Sequence, residues 1–392
     1  MTITMYMDDC REMLPQLPDE SVHCVVTSPP YWGLRDYGIV GQIGLEPDFH
    51  SYVANMVEVF CEVRRVLRND GTLWLNLGDS YAANTKGSGG IGKGTLNCGP
   101  GLNAWSTEKQ KLNGTRTFSL GDLKPKDLCG IPWRVAFALQ SDGWYLRQDI
   151  VWSKPNPMPE SVTDRCTKAH EYLFLLSKSE RYYYDAEAIA EPTNGRELFG
   201  NSRSKGFCEQ RQDNERRDMS ENWFRNKRSV WEVTTQPFSE AHFATFPPAL
   251  IEPCIKAGTS EKGCCSKCGA PWRRMIDIES RPNAPSCNGK YDGNGKHRTF
   301  PGGVTNDARE RIDRGWLSSC KCSAPIVPCT VLDPFAGAGT TGLVADRLQR
   351  NAILIELNPN YADMSERRIV GDAPLFVEVL HARRPDGRSS ER

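Results

Sequence analysis

Apolar residues in this chain fall into short dense runs separated by stretches where Gly, Pro, Asn and Asp gather. The Val-rich run Val22 to Val26 predicts a buried strand. Val53, Met56, Val57, Phe60, Val63 and Leu67 recur at helical spacing and predict an amphipathic helix over 51–67, ended by Asn69-Asp70-Gly71. Thr72 to Leu77 predicts the next strand, closed by Gly78-Asp79. The rhythm returns late in the chain, where Thr330 to Leu332 reads as a strand, a helix runs on to Arg350, and Ala352 to Ile355 reads as a strand ending in Glu356. Between the two come a helix over 131–140, a strand from Trp144 to Trp152, and a hairpin of Tyr172–Leu176 with Tyr182–Tyr184. A short helix, Arg11 to Leu17, and one opening at 242–248 that Pro253 should kink complete the pattern. Strand–helix–strand alternation predicts an α/β fold with a doubly wound, mostly parallel sheet.

The polar stretches divide this pattern. Residues 82–125 are rich in Gly, Asn, Ser and Thr and read as a flexible loop. Within it Gly87 to Gly94 resembles part of a phosphate loop, but Gly94 stands where Ser or Thr is required, which removes that reading. Between Arg196 and Arg228 nine Lys/Arg face six Asp/Glu, with Phe199, Phe207, Trp223 and Phe224 interleaved. That composition suits nucleic-acid contact, and it suits a solvated insertion equally well.

Composition narrows the classes. With 392 residues the chain can form one large domain or two medium ones. No apolar run approaches the roughly 20 residues that span a bilayer, so no membrane role is expected. Met1 to Cys10 shows no secretory signal. Fifteen cysteines then point to free thiols and metal ligation in a reducing cytoplasm. Net charge is zero, so a nucleic-acid partner must be gripped by a local patch.

Two turns carry chemistry. The first, Thr27-Ser28-Pro29-Pro30-Tyr31-Trp32, breaks the first long strand with consecutive prolines. Prolines donate no backbone hydrogen bonds, so their carbonyls are left as spare acceptors beside an aromatic pair. Such a turn can hold a flat base bearing an amino group; the plainer reading is a strand-ending loop whose Tyr31 and Trp32 fill core. The second turn, Asp333 to Thr341, follows a strand and opens a helix, and Glu356 lies 23 positions after Asp333. Gly337 and Gly339 allow close backbone approach, Thr340 and Thr341 offer hydroxyls, and the helix amides favour a carboxylate. Asp333 at a strand end can accept from a ligand ammonium. A ribose, an ammonium and a carboxylate together describe S-adenosylmethionine; a plain dinucleotide site is the competing reading, in which Asp333 sits badly beside a pyrophosphate.

With both turns in this order, the chain resembles the DNA amino-methyltransferases, in the permuted group often called beta. The resemblance covers roughly residues 4–80, 126–184, 240–260 and 328–368. It implies a Rossmann-like methyltransferase fold, and methyl transfer from S-adenosylmethionine to the exocyclic amine of a base flipped out of double-stranded DNA. Carried over, Ser28 and the Pro29 carbonyl accept from the amine, Pro30 completes the turn, and Tyr31 stacks on the base. Asp9, Phe246, Asp333, Phe335, Gly337, Gly339, Thr340, Thr341 and Glu356 fall at cofactor positions. Ser28, where many adenine-modifying relatives carry Asp, points to cytosine N4; adenine N6 is the alternative. A non-catalytic, zinc-bearing DNA-binding protein is the reading from another class, and methylation of RNA or protein a third. The implied organisation is a catalytic half, 1–184; a target-recognition insertion, 185–240; a cofactor-site helix, 241–260; a zinc-binding insertion, 261–324; the cofactor half, 325–372; and a loose tail, 373–392. A bacterial or phage-infected cytoplasm, a restriction-modification setting, and a monomer or homodimer are expected.

The last signal is Cys265-x-x-Cys268 with Cys320-x-Cys322, and Cys264, Cys287 and Cys329 nearby. Four thiolates predict a structural zinc site closing a long excursion. Cys264 can stand in for Cys265 in this reading.

Overall fold

The computed structural model describes residues 1–83, 95–96, 122–193, 223–236, 245–280, 309–373 and 378–381. Nine strands form the central sheet: β1 (Thr2–Met7), β2 (Val22–Thr27), β3 (Leu67–Leu77), β4 (Tyr145–Ser153), β5 (His170–Ser177), β6 (Val230–Glu232), β7 (Thr330–Asp333), β8 (Asn351–Glu356) and β9 (Glu378–His381). Their order is β6-β4-β5-β3-β2-β7-β8-β1-β9. Only β5 runs against the others, pairing antiparallel with β3 and β4. The predicted mostly parallel sheet is therefore observed. All six residues of β2 are buried, as expected of a central strand covered on both faces.

Among the described residues, six helices cover the faces: α1 (Cys10–Met13), α2 (Phe49–Val66), α3 (Ile131–Ser141), α4 (Pro248–Gly258), α5 (Thr340–Arg347) and α6 (Pro359–Asp372). One core, built on α1 to α3, packs under one face; the other, built on α4 to α6, under the opposite one. Helix α2 shows why the spacing was informative: Phe49, Tyr52, Met56, Val59, Phe60, Val63 and Val66 are buried along one stripe. Each such side chain contributes roughly 1.5–3 kcal/mol over exposure.

Strands from distant parts of the sequence meet at the centre, where β2 pairs with β7 through Cys24–Val331 and Val25–Leu332. Neighbouring parallel strands that feed helices on opposite faces leave a crevice at their carboxyl ends, where ligands bind in doubly wound sheets. The fold thus places both chemistry-bearing turns at one crevice.

Several local expectations are corrected. Asn69-Asp70-Gly71 is not a turn: Leu67 leaves α2 in extended conformation and the chain enters β3 at once. Tyr182–Tyr184 is not a strand. Tyr183 N–H donates to the Asp70 carbonyl at 2.8 Å, while β5 takes β3 and β4 as partners. The short helix at 11–17 is one turn of α-helix followed by a 3-10 turn, Leu14–Gln16, that begins at the Pro15 step. Helix α5 stops at Arg347, before Gln349 adopts φ +58°. The tail was expected to be loose, yet Glu378–His381 pairs parallel with β1 and forms the sheet edge. Most of the 82–125 loop and of the 196–228 insertion lies outside the described residues. At the described end of that insertion Arg225, Lys227 and Arg228 gather on Glu191.

Candidate active site

A cavity of about 970 Å³ opens at the carboxyl ends of the parallel strands. Of the residues singled out from sequence, Asp9, Ser28, Pro29, Pro30, Tyr31, Phe246, Phe335, Gly337, Thr340 and Glu356 line it. Asp333, Gly339 and Thr341 do not.

The first turn presents acceptors to this space. The Pro30 carbonyl is taken by the Tyr52 hydroxyl at 3.0 Å. Among the described residues no hydrogen bond reaches the Pro29 carbonyl. Trp32 is core, 1% exposed, with its indole N–H donating to the Glu46 carbonyl at 3.0 Å. Tyr31 lies between core and cavity, its ring against Gly78, where a Cβ would come within 2.5 Å of Tyr31 Cε2. Its hydroxyl is held by side chains that the sequence reading passed over. Tyr31 Oη lies 3.0 Å from Asn76 Oδ1 and 2.9 Å from Glu171 Oε2. Ser28 Oγ lies 3.3 Å from both Tyr31 Oη and Asn76 Oδ1. Lys154, in the Pro-rich run after β4, pairs with Glu171 Oε1 and sits 4.2 Å over the Trp152 ring. Asp79 accepts the Gly130 and Ile131 amides at 3.1 Å each, which ties the start of α3 to the end of β3. Burial raises its pKa, and the Lys168 ammonium opposes the shift. The only sequence signals for this group are Asn76 and Asp79 flanking a strand-closing glycine and Lys154 opening an extended proline run.

The second turn behaves differently. Asp333 is fully buried and its carboxylate is consumed by the protein. It accepts from Thr27 Oγ1 at 2.6 Å, Thr341 Oγ1 at 2.6 Å and the Phe335 amide at 3.0 Å. Burial nevertheless pushes its pKa up to about 6. These bonds staple the end of β7 to the end of β2, and Asp333 stands behind the cavity wall and does not line it. Gly339, at φ +70°, packs where a Cβ would sit 1.9 Å from Ser365 Oγ, so its freedom serves helix packing. Thr341 also reaches the Val26 carbonyl at 3.2 Å. The turn lines the cavity with Phe335, Gly337 and Thr340, and Glu356 at the end of β8 joins them. Glu356 accepts the Gly337 amide at 2.7 Å and the Asn358 amide at 2.8 Å. Burial, countered by those two amides, raises its carboxyl to about 7. Asp9 caps α1 through the Arg11 amide at 2.9 Å and pairs with the Arg11 guanidinium at 2.5 Å.

The cysteines sort into two groups. Cys265, Cys268, Cys320 and Cys322 bring their sulfurs within 4.8 Å of one another. Tetrahedral zinc with Zn–S bonds of about 2.3 Å needs sulfurs slightly closer than that limit, so the four thiols fit a zinc ion. Cys264 does not replace Cys265. It joins His23 and Cys329 in a separate buried group, its Sγ directed at the Val327 and Pro328 carbonyls at 3.5 and 3.7 Å. His23 is no free ligand there: Nδ1 accepts from the Thr330 amide at 3.1 Å, and Nε2–H then donates to the Gly269 carbonyl at 2.9 Å. Arg68 donates to the Cys268 carbonyl at 2.8 Å. The cysteine knuckle is thus fastened to the starts of β2 and β3, the ends of those strands away from the cavity. Cys287 lies outside the described residues.

Comparison with known proteins bears on this arrangement. A family model described as DNA methylase matches residues 22–265 and 329–367. The Type II methyltransferase M.Cfr9I of Citrobacter freundii is 39% identical over 379 residues, 97% of this chain and 91% of its own length. M.SmaI of Serratia marcescens, also named a Type II methyltransferase, is 38% identical over 92% of this chain and 89% of its own. Among solved structures, PvuII DNA methyltransferase (cytosine-N4-specific) is 17% identical, with a TM-score of 0.49 covering 97% of this chain and 96% of that one.

Proposed function

We propose, from the premise that this chain belongs to the DNA methylase family, that it methylates the exocyclic amine of a base flipped out of double-stranded DNA, with S-adenosylmethionine as donor. The observation that carries this reading is the convergence of Ser28, Pro29 and Glu356 on one cavity, from strands far apart in sequence. S-adenosylmethionine supplies an electrophilic methyl group. The remaining work belongs to the chain. An exocyclic amine is a weak nucleophile because its lone pair is delocalised into the ring. Ser28 Oγ and the Pro29 carbonyl accept its two N–H groups and turn the lone pair toward the donor, so that positioning supplies much of the acceleration. Tyr31, its hydroxyl fixed by Asn76 and Glu171, offers a ring edge or face to the base. Glu356 keeps acceptor capacity for ribose hydroxyls, with Phe335, Phe246 and Tyr361 forming apolar walls. Asp9 and Thr340 line the same pocket.

Cytosine N4 is the favoured target. A serine at position 28 can accept from the amine or donate to a ring nitrogen, and it keeps the pocket less charged than an aspartate would. Adenine presents a similar edge and is the alternative. Digesting DNA from cells that express the protein and identifying the nucleosides by mass spectrometry decides between them. N4-methylcytosine is the expected product, and methyladenine alone would overturn the choice of base.

The four-cysteine group is read as a structural zinc site. Four thiolates leave no open position for water or substrate, and the knuckle is held at the end of the sheet away from the cavity.

A further inference from the structure

Holding an amine explains Ser28 and Pro29 but not the polar chain behind them. Because β5 is the one reversed strand, its first residues, His170 and Glu171, reach the end of the sheet where its neighbours finish. Glu171 there makes three contacts, one of them a long one from Asn76 Nδ2 to Oε2 at 3.5 Å. Oε1 is taken by Lys154, with both side chains 17% exposed. Oε2 accepts from the Tyr31 hydroxyl at 2.9 Å. Ser28 Oγ lies 3.3 Å from Tyr31 Oη and 3.3 Å from Asn76 Oδ1, and can donate to either. The amide of Asn76 is fixed by donating to the Tyr172 carbonyl at 3.1 Å, so its oxygen faces the two hydroxyls. The result is a directed run of hydroxyls from the acceptor of the amine to a carboxylate at the cavity wall.

We propose that Ser28, Tyr31 and Glu171 form a proton relay, with Glu171 the terminal acceptor of the proton that the target amine sheds on methylation. The inference rests on the methyl-transfer reading above. As the nitrogen–carbon bond forms and the donor's sulfur–carbon bond breaks, the amine becomes cationic and carries one proton too many. That proton passes to Ser28 Oγ while the serine proton passes to Tyr31 Oη and the tyrosine proton to Glu171 Oε2. One proton has then moved from nitrogen to carboxylate, and both hydroxyls are neutral again. The concerted route matters because burial and the Glu171 charge raise the Tyr31 pKa well above its ordinary value, so a free phenolate is disfavoured. The charged groups facing Glu171 are Lys154 and Lys168. Lys154 occupies Oε1, and at Oε2 the Tyr31 hydroxyl, at 2.9 Å, is nearer than the Asn76 amide at 3.5 Å. Partial exposure of Glu171 allows the proton to pass on to water.

The test compares wild type, Glu171→Gln, Tyr31→Phe and the double variant in transfer of a labelled methyl group from S-adenosylmethionine to unmodified duplex DNA. Removing a general base lowers turnover typically by about 10²-fold or more, so each single variant should lose that much in kcat. KM for DNA and cofactor affinity should stay within about threefold, because the loss falls in the transition state. The double variant should be no slower than the slower single. Wild-type kcat in either single variant, or losses that multiply in the double, would overturn the relay. So would a kcat loss matched by weakened binding of DNA and cofactor. If Glu171→Gln fails to fold, Tyr31→Phe decides alone. A wild-type protein that methylates no DNA would sink the functional reading itself, whereas active variants sink only the relay.

Discussion

The turns after β2 and β7 sit side by side, joined by the Thr27–Asp333 hydrogen bond, yet they spend their polar groups in opposite ways. The turn after β2 aims outward: Ser28 lines the cavity, and no hydrogen bond reaches the Pro29 carbonyl among the described residues. The turn after β7 aims inward, with Asp333 and Thr341 saturated by neighbours. It leaves to the cavity a stretch of backbone and the carboxylate of Glu356, from the next strand. A signature acid at a strand end is therefore not by itself a ligand contact. When backbone amides and hydroxyls surround it, it is a fastener, and the acid that lines the cavity is Glu356, one strand away.

Breaking the outward turn should have the largest effect on turnover. Ser28→Ala removes an acceptor for the amine and should lower kcat by roughly 10²- to 10³-fold, as for loss of one preorganised hydrogen-bonding group. Calorimetry should find cofactor affinity unchanged. Weakened cofactor binding with intact turnover would reverse the assignment of the two turns.

Breaking the inward turn should be felt as stability. Asp333→Ala strands the Thr27 hydroxyl and the Phe335 amide, while Thr341 keeps the Val26 carbonyl, and each buried unpaired group costs about 1–3 kcal/mol. Denaturant unfolding should show a lower midpoint, partly recovered in Asp333→Asn. An unchanged midpoint with lost cofactor binding would return Asp333 to the ligand.

Glu356 sharpens the comparison through pH. Its carboxyl titrates at about 7, so cofactor hydroxyls that donate to the charged form should bind more tightly as pH rises from about 6 to 8. Binding at pH 7 should release a proton, measured by calorimetry in buffers of different ionisation enthalpy. Stability should move the other way. The folded pKa lies above the ordinary 4.5, so the contribution is present below about 4.5 and lost as pH rises through about 7. A shift of that size is on the order of 3 kcal/mol. A flat affinity profile would remove Glu356 from the cofactor contact.

The smallest effect on turnover should come from the far end of the sheet. Protein purified without added zinc should carry about one equivalent, and stripping it should lower the unfolding temperature while kcat of the folded fraction is kept. No metal, or full retention after Cys268 and Cys320 are replaced, would refute the site.

Much of this was legible in the sequence because parallel strands buried on both faces leave dense apolar runs, and helices over them leave a 3.6-residue stripe. Val22–Val26 and the α2 spacing are such cases. The two turns were legible because proline and glycine advertise special backbone. The edge strand Glu378–His381 was not legible, since four charged and apolar residues in a polar tail carry no pattern until β1 offers an edge. Glu171 was hidden differently: its place in the cleft depends on β5 running backwards, which no local pattern records. The internal partners of Asp333 were not legible because they include Thr27, far away in sequence.

The most direct test of the account is transfer of isotopically labelled methyl groups from S-adenosylmethionine to unmodified duplex DNA by the purified protein, followed by nucleoside analysis. Label is expected on the exocyclic nitrogen of cytosine in the wild type and at least a hundredfold less with Ser28→Ala, about 2.7 kcal/mol of lost transition-state stabilisation. Unlabelled DNA from folded, cofactor-binding protein, or label on a ring carbon, would contradict it.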